Sequence, residues 1–171
     1  MPPRADTFDL APLRLTAGEG RSIEFEVALE PFELGGEHYA VTPPAIPLRL
    51  DVSRTMHSGW ALRLRFEVAL EGPCMRCLEQ AAPRFTIDAR EFDQPGSGEE
   101  LESPYVVDQE IDLGAWARDA LALALPTQLL CRKDCAGLCA VCGENLNTAG
   151  PDHQHAAEPD PRWAKLRELE L

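Results

Sequence analysis

All six cysteines of this chain fall in two short stretches, and that distribution limits how it can fold. Cys74-Met75-Arg76-Cys77 forms an outpost. Cys131, Cys135, Cys139 and Cys142 follow near the C-terminus, with His153-Gln154-His155 close behind. Tetrahedral Zn²⁺ takes four N or S ligands, and a CxxC turn aims two thiolates at one ion from a single bend. Eight candidate ligands in four close pairs fit two closed sites. A chain that used them would have to bring its middle and its tail together.

The preferred division assigns Cys74, Cys77, Cys131 and Cys135 to a first Zn²⁺ site, and Cys139, Cys142, His153 and His155 to a second. The alternative is one tail site drawn from Cys131, Cys135, Cys139 and Cys142, with the hairpin thiols spare. Cys131 and Cys135 have the i,i+4 spacing of one helical face. Cys139 to Gly143 reads as a knuckle, because Gly after the second Cys lets backbone approach sulfur. His153 and His155, at i,i+2, share one side of an extended segment. His38 and His57 lie outside the constellation.

Other uses of the thiols fit less well. Met1 to Asp6 lacks the apolar region of a secretory signal, and no apolar run approaches the roughly 20 residues of a membrane span. A reducing cytoplasm is therefore expected, where metal or redox roles outweigh structural disulfides. A thioredoxin-like CxxC needs a helix after its first Cys, but residues 78–83 lead into an apparent strand. Catalytic zinc keeps an open position backed by a general base, and neither HExxH nor a deaminase signature occurs. The expectation is a non-enzyme with no small-molecule substrate.

The chain has 171 residues and a net charge of −13. Residues 1–125 carry 11 Lys/Arg against 22 Asp/Glu, and residues 126–171 carry 5 against 7. No dense run of Lys or Arg offers the counterion release that drives nonspecific phosphate binding. Any nucleic-acid contact must be local. Arg76, Arg132 and Lys133 are the candidate phosphate contacts, with solvated surface charge as their alternative role. The acidity also suits a basic protein partner.

Period-2 alternation marks the strands. Ile23, Phe25, Val27 and Leu29 share one face; so do Leu48, Leu50 and Val52. The longest run is Trp60, Leu62, Leu64, Phe66, Val68 and Leu70. Phe85, Ile87 and Ala89 read as a returning strand, which makes Cys74–Cys77 a hairpin tip. Shorter extended pieces are expected within residues 8–16, at Tyr39 to Val41 and at Tyr105 to Val107. Residues 94–100 read as a polar linker. Asp112 is the expected N-cap of a helix through Leu125, stopped by Pro126. Asp160-Pro161 opens a second, short helix carrying Trp163, Leu166 and Leu169.

These motifs resemble those of the YceD family, the large ribosomal RNA subunit accumulation proteins. The likeness is carried by Cys74-Met75-Arg76-Cys77-Leu78 after a long strand, and by the helix ending Leu123-Ala124-Leu125-Pro126. It continues through the run from Cys131 to Asn147 and the closing Asp160-Pro161-Arg162-Trp163. Members of that family commonly have CxC where this chain has His153-Gln154-His155, a swap of soft for borderline ligands that zinc accepts. The resemblance implies a factor for 23S ribosomal RNA processing or accumulation, and so for large-subunit assembly. Its partner would be a large-subunit ribosomal protein, precursor ribosomal RNA or a pre-ribosomal particle, with no membrane involved. Two readings compete with it: a thiol redox sensor, and a zinc-dependent RNA-binding regulator unrelated to ribosome assembly. The expected architecture is α+β: an antiparallel, partly barrel-like β-sheet with one packing helix and a zinc-stapled C-terminal lobe. Residues 1–125 would form the body and residues 126–171 the metal-binding tail.

Overall fold

The computed structural model describes residues 5–56, 59–96, 98 and 101–155. The strands of the main sheet are β2 (Gly20–Val27), β3 (Phe32–Leu34), β4 (Glu37–Thr42), β5 (Ile46–Arg54), β6 (Trp60–Pro73), β7 (Gln80–Ala81) and β8 (Arg84–Asp93). A smaller sheet joins β1 (Thr7–Asp9), β10 (Glu110–Asp112) and β9 (Val106–Val107), in that order. Helix α1 covers Leu113–Ala124.

Strand β6 is the hub. It pairs antiparallel with β5 and β4 along one side and with β8 and β7 along the other. Its even-numbered side chains from Trp60 to Leu70 are all buried. They meet Phe25 and Val27 of β2 and Leu48, Leu50 and Val52 of β5 in one apolar core. Each such side chain contributes about 1.5–3 kcal/mol by leaving water, so alternation fixes both the register and the face turned inward.

The sheets do not close into a barrel. Strand β2 pairs only with β5, and β8 pairs only with β6, leaving an outer edge on each among the described residues. The barrel expectation fails because alternation specifies which face is buried and carries no information on whether end strands meet. The antiparallel sheet and single helix are as expected from the pattern. Within residues 8–16, β1 supplies an extended piece as far as Asp9, and residues 11–13 form a 3-10 turn at Pro12, which interrupts the extended segment expected there. Pro12 removes the amide a ladder would need. The short helix expected from Asp160 lies outside the described residues.

Asp112 caps α1, its side chain accepting from the Ala115 amide at 2.8 Å. Leu113, Trp116, Ala117 and Leu121 form the buried stripe. Leu125 is extended, with ψ of 135°, the conformation imposed by the following Pro126. The chain then returns towards the hairpin tip. Leu129 is buried in the main core, and its carbonyl accepts from the Met75 amide at 2.9 Å. That anchor brings the tail to the thiols of Cys74 and Cys77.

Candidate metal centre

At the end of β6 the chain turns through Cys74 to Cys77 and returns as β7. The Leu78 amide donates to the Cys74 carbonyl at 3.0 Å, and the Cys74 amide donates to the Glu79 carbonyl at 2.7 Å. The turn from Cys139 to Cys142 repeats the pattern. There the Gly143 amide donates to the Cys139 carbonyl at 2.9 Å, and the Cys139 amide to the Glu144 carbonyl at 2.8 Å. Both turns close on a residue of positive φ, Leu78 at 63° and Gly143 at 76°. They are two copies of one knuckle, and each aims a pair of sulfurs to one side.

The Sγ atoms of Cys74, Cys77, Cys131 and Cys135 lie within 4.8 Å of one another. The Cys74–Cys135 and Cys77–Cys131 separations are 3.7 and 3.6 Å. A tetrahedron with Zn–S bonds of about 2.3 Å has edges of about 3.8 Å, whereas a disulfide needs about 2.05 Å. All six cysteines are free thiols. Cys139, Cys142, His153 and His155 form a second group within the same limit. In that group Cys142 Sγ is 3.7 Å from His153 Nε2, and His155 Nε2 is 3.2 Å from His153 Nε2. Both groups could hold a metal ion. The first is buried except at Cys131; the second is half-buried at Cys139 and His153 and exposed at Cys142 and His155.

Three of the thiols, Cys74, Cys135 and Cys139, are polarised for ionisation, while Cys77 and Cys131 are shifted the other way. Burial opposes charge on Cys74, but amide hydrogen bonds from Arg76, Cys77 and Cys131 outweigh it and hold its thiol at about 6. Cys135 is lowered chiefly by the Asn147 amide, whose Nδ2 lies 3.4 Å from its sulfur. Cys131 is pushed up to about 12 by burial and then by its thiol neighbours. Four thiolates would repel one another, and a dication held by these cysteines would supply the charge that lets all four ionise. In the second group, the hydrogen bond from His153 and the amides of Cys142 and Val141 hold Cys139 at about 6. Glu144 Oε2 sits 2.9 Å from His153 Nδ1 and fixes Nε2 as the nitrogen facing the sulfurs.

Cys131 and Cys135 do not share a helical turn. The segment is a series of bends, with the Cys135 amide donating to the Arg132 carbonyl at 3.2 Å. Gly137, at φ of 79°, lies against the Arg76 carbonyl, which a Cβ would approach to 3.2 Å. Arg76 and Arg132 are engaged inside this lobe. Arg76 Nη1 donates to the Cys135 carbonyl at 3.2 Å, and Arg132 Nη2 to Asn147 Oδ1 at 2.8 Å. Sequence reasoning gave no role to Glu144 or Asn147. Their signal was that they stand two and five positions past Cys142, inside the run that carries the family resemblance. Of the histidines outside the groups, His38 is an exposed partner of Glu33, and His57 lies outside the described residues.

A cavity of about 880 Å³ lies elsewhere. Arg54, Trp60, Asp93, Glu102 and Ser103 line it, and it contains none of the eight donors.

The fold and this centre define a β-rich protein with two Cys/His clusters able to hold metal. Residues 62–170 match the family described as Large ribosomal RNA subunit accumulation protein YceD, and the chain belongs to that family. An uncharacterized protein of Mycobacterium bovis is 36% identical over 95% of this chain and 80% of its own length. An uncharacterized protein of Mycobacterium leprae is 38% identical over 56% of this chain and 46% of its own. Over 24% of this chain and 14% of the relative, there is 44% identity to the Zea mays protein named Large ribosomal RNA subunit accumulation protein YCED homolog 1, chloroplastic. No solved structure matches the chain. Among the described residues, no helix is long and apolar enough to cross a membrane.

Proposed function

We propose that this chain is a non-enzymatic, cytoplasmic zinc-binding factor that supports 23S ribosomal RNA accumulation and processing, and through it large-subunit assembly. Residues 1–125 act as the body. Residues 126–171 act as the lobe that two Zn²⁺ ions staple to it, one held by Cys74, Cys77, Cys131 and Cys135 and the other by Cys139, Cys142, His153 and His155. Its partner is precursor ribosomal RNA or a large-subunit ribosomal protein.

Membership of the family supports the ribosomal role. The supporting observation for zinc is that each cluster has four protein donors, so a tetrahedral ion would have no open coordination position. Closed S₄ and S₂N₂ sets are structural-zinc chemistry, whereas a catalytic zinc keeps a position for water. The tetrahedral S₄ set also suits iron–sulfur chemistry, and elemental analysis separates the two.

The test combines metal analysis of the purified protein with thiol titration. The expected result is two zinc ions per chain, with thiols that react fully only after chelation. Disulfides, iron, or reversible oxidation without bound metal would replace this reading with a redox one. In cells lacking the chain, the wild type restores large-subunit ribosomal RNA and Cys74→Ser does not.

A further inference from the structure

The outer face of the main sheet carries a pattern that no run of sequence reveals, because four strands contribute to it. In register across β2, β5, β6 and β8, one row reads Glu24, Arg49, Arg65, Asp88. The next reads Ser22, Asp51, Arg63, Arg90, and the third Gly20, Ser53, Ala61, Phe92. Arg49 thus faces Arg65, and Arg63 faces Arg90.

Like charges directly opposite each other destabilise a strand pair. Asp51 accepts from Ser22, Arg49 and Arg65, and Asp88 accepts from Arg63 Nε and Nη2 at 2.7 and 2.6 Å. These carboxylates offset part of the repulsion. Arg90 has no ion pair among the described residues, and Arg65 Nε is buried without a hydrogen-bond partner. Four arginines against Glu24, Asp51 and Asp88 give these three rows a net charge of +1, with Glu26 and Glu67 in the row beyond, so the positive charge is local to Arg90 and Phe92.

Phe92 completes the pattern. It is 64% exposed, and it is the sole aromatic among the exposed large apolar side chains described. A single exposed apolar residue is ordinary; its surroundings distinguish this one. Gly20, Ser53 and Ala61 form a shelf of small side chains beside the ring, with Arg63 and Arg90 one row away.

We infer that this face binds single-stranded RNA, with guanidiniums on the phosphates and a base stacked on Phe92. Guanidinium groups pair phosphate oxygens bidentately, and aromatic side chains beside a cationic track are how proteins hold unpaired strands. Arg90, without a carboxylate partner among the described residues, disfavours a basic ribosomal protein beside Phe92. The inference rests on the ribosomal RNA reading above and names the partner and the surface.

The test uses the full zinc-loaded chain and a fluorescein-labelled single-stranded RNA of about 12 nucleotides, followed by anisotropy at several salt concentrations. Phe92→Ala should weaken binding about 5- to 100-fold. Arg63→Gln and Arg90→Gln should each lower the slope of log affinity against log salt by about 0.7. Arg21→Gln, an exposed arginine on the opposite face of β2, should leave binding unchanged. Zinc content and melting temperature confirm that each variant folds; Phe92 and Arg90 are exposed, so their variants stay informative if Arg63→Gln does not fold. Absence of RNA binding by the wild type at low salt overturns the inference. So does wild-type binding by Phe92→Ala and Arg90→Gln, or loss of binding in Arg21→Gln instead. If the face fails in this way while the chain still restores large-subunit ribosomal RNA in cells, the functional reading stands without it. Loss of both would remove both.

Discussion

Leu78 occupies the backbone position that glycine fills in the second knuckle, and it does so with a side chain 65% exposed to solvent. A left-handed conformation costs an L-residue about 1–2 kcal/mol, and glycine's greater unfolded-state freedom returns about 0.5–1 kcal/mol of that difference. Leu78→Gly should therefore be neutral to slightly stabilising in chemical denaturation. Gly143→Ala should do the reverse. A Cβ there would meet nothing within 4 Å, so the cost is backbone strain alone, about 1 kcal/mol. It should appear as roughly fivefold weaker metal binding at the second site. A drop of more than 1 kcal/mol in Leu78→Gly would show that the leucine side chain matters more than its backbone. Asn147 presents a sharper case. Its Nδ2 faces the Cys135 sulfur while Oδ1 accepts from the Ala136 amide at 2.8 Å. Removing such a neighbour of a ligand typically weakens metal affinity about 10- to 100-fold. Asn147→Ala should do so, and Asn147→Asp should do worse, because it keeps the acceptor but sets a carboxylate beside a thiolate. Competition with a zinc chelator and the Co²⁺ ligand-field bands read both. The two candidate donor groups were legible in sequence because cysteine is rare and its spacing is diagnostic. Asn147 and Glu144 were not, since neither residue type signals where its side chain is directed.

At the scale of elements, alternation located the body's long strands, because one side of the sheet is dry and the other wet. The short β3 and β7 escaped notice: two or three residues are too few for a period to register. The edge pairings depend on long-range geometry that local pattern does not encode, which is why an open sheet was mistaken for a partial barrel. Strand β8 ends in a buried carboxylate. Asp93 is 4% exposed and accepts from the Ser103 amide at 3.2 Å. Burial raises its pKa, the Ser103 hydrogen bond opposes that rise, and Glu102 adds to it. A folded-state pKa above the unfolded value of about 3.9 means that the native chain holds this proton more tightly. The ionised form then costs stability above the folded pKa, and the cost vanishes as pH falls below about 3.9. Asp93→Asn keeps an acceptor for Ser103 and removes the charge. Its melting temperature should exceed that of the wild type at pH 7, with the gain shrinking steadily on acidification. A gain independent of pH would locate the effect outside this ionisation.

Across the whole molecule, the buried residues fall into two clusters. One is the large apolar core of the sheets and α1. The other is small, made of Cys74, Cys77, Ala81 and Cys135 with Leu130 against it. The first derives its stability from area removed from water. The second is too small to hold a lobe together by that means, and on the zinc proposal the bound ions would supply the hold. The two sites also differ in access, since three of four donors in the first are buried and none is fully buried in the second. Chelation should then proceed in two stages: one zinc leaves quickly, and the other leaves slowly as buried sulfurs become exposed. Far-UV circular dichroism should change little throughout, because the strands and α1 lie in the other cluster. Limited proteolysis should begin to cut within residues 131–155 after the first stage and near residues 74–79 only after the second. Release of both ions at one rate, or collapse of the strand signal on chelation, would mean that the body also needs the metal to fold.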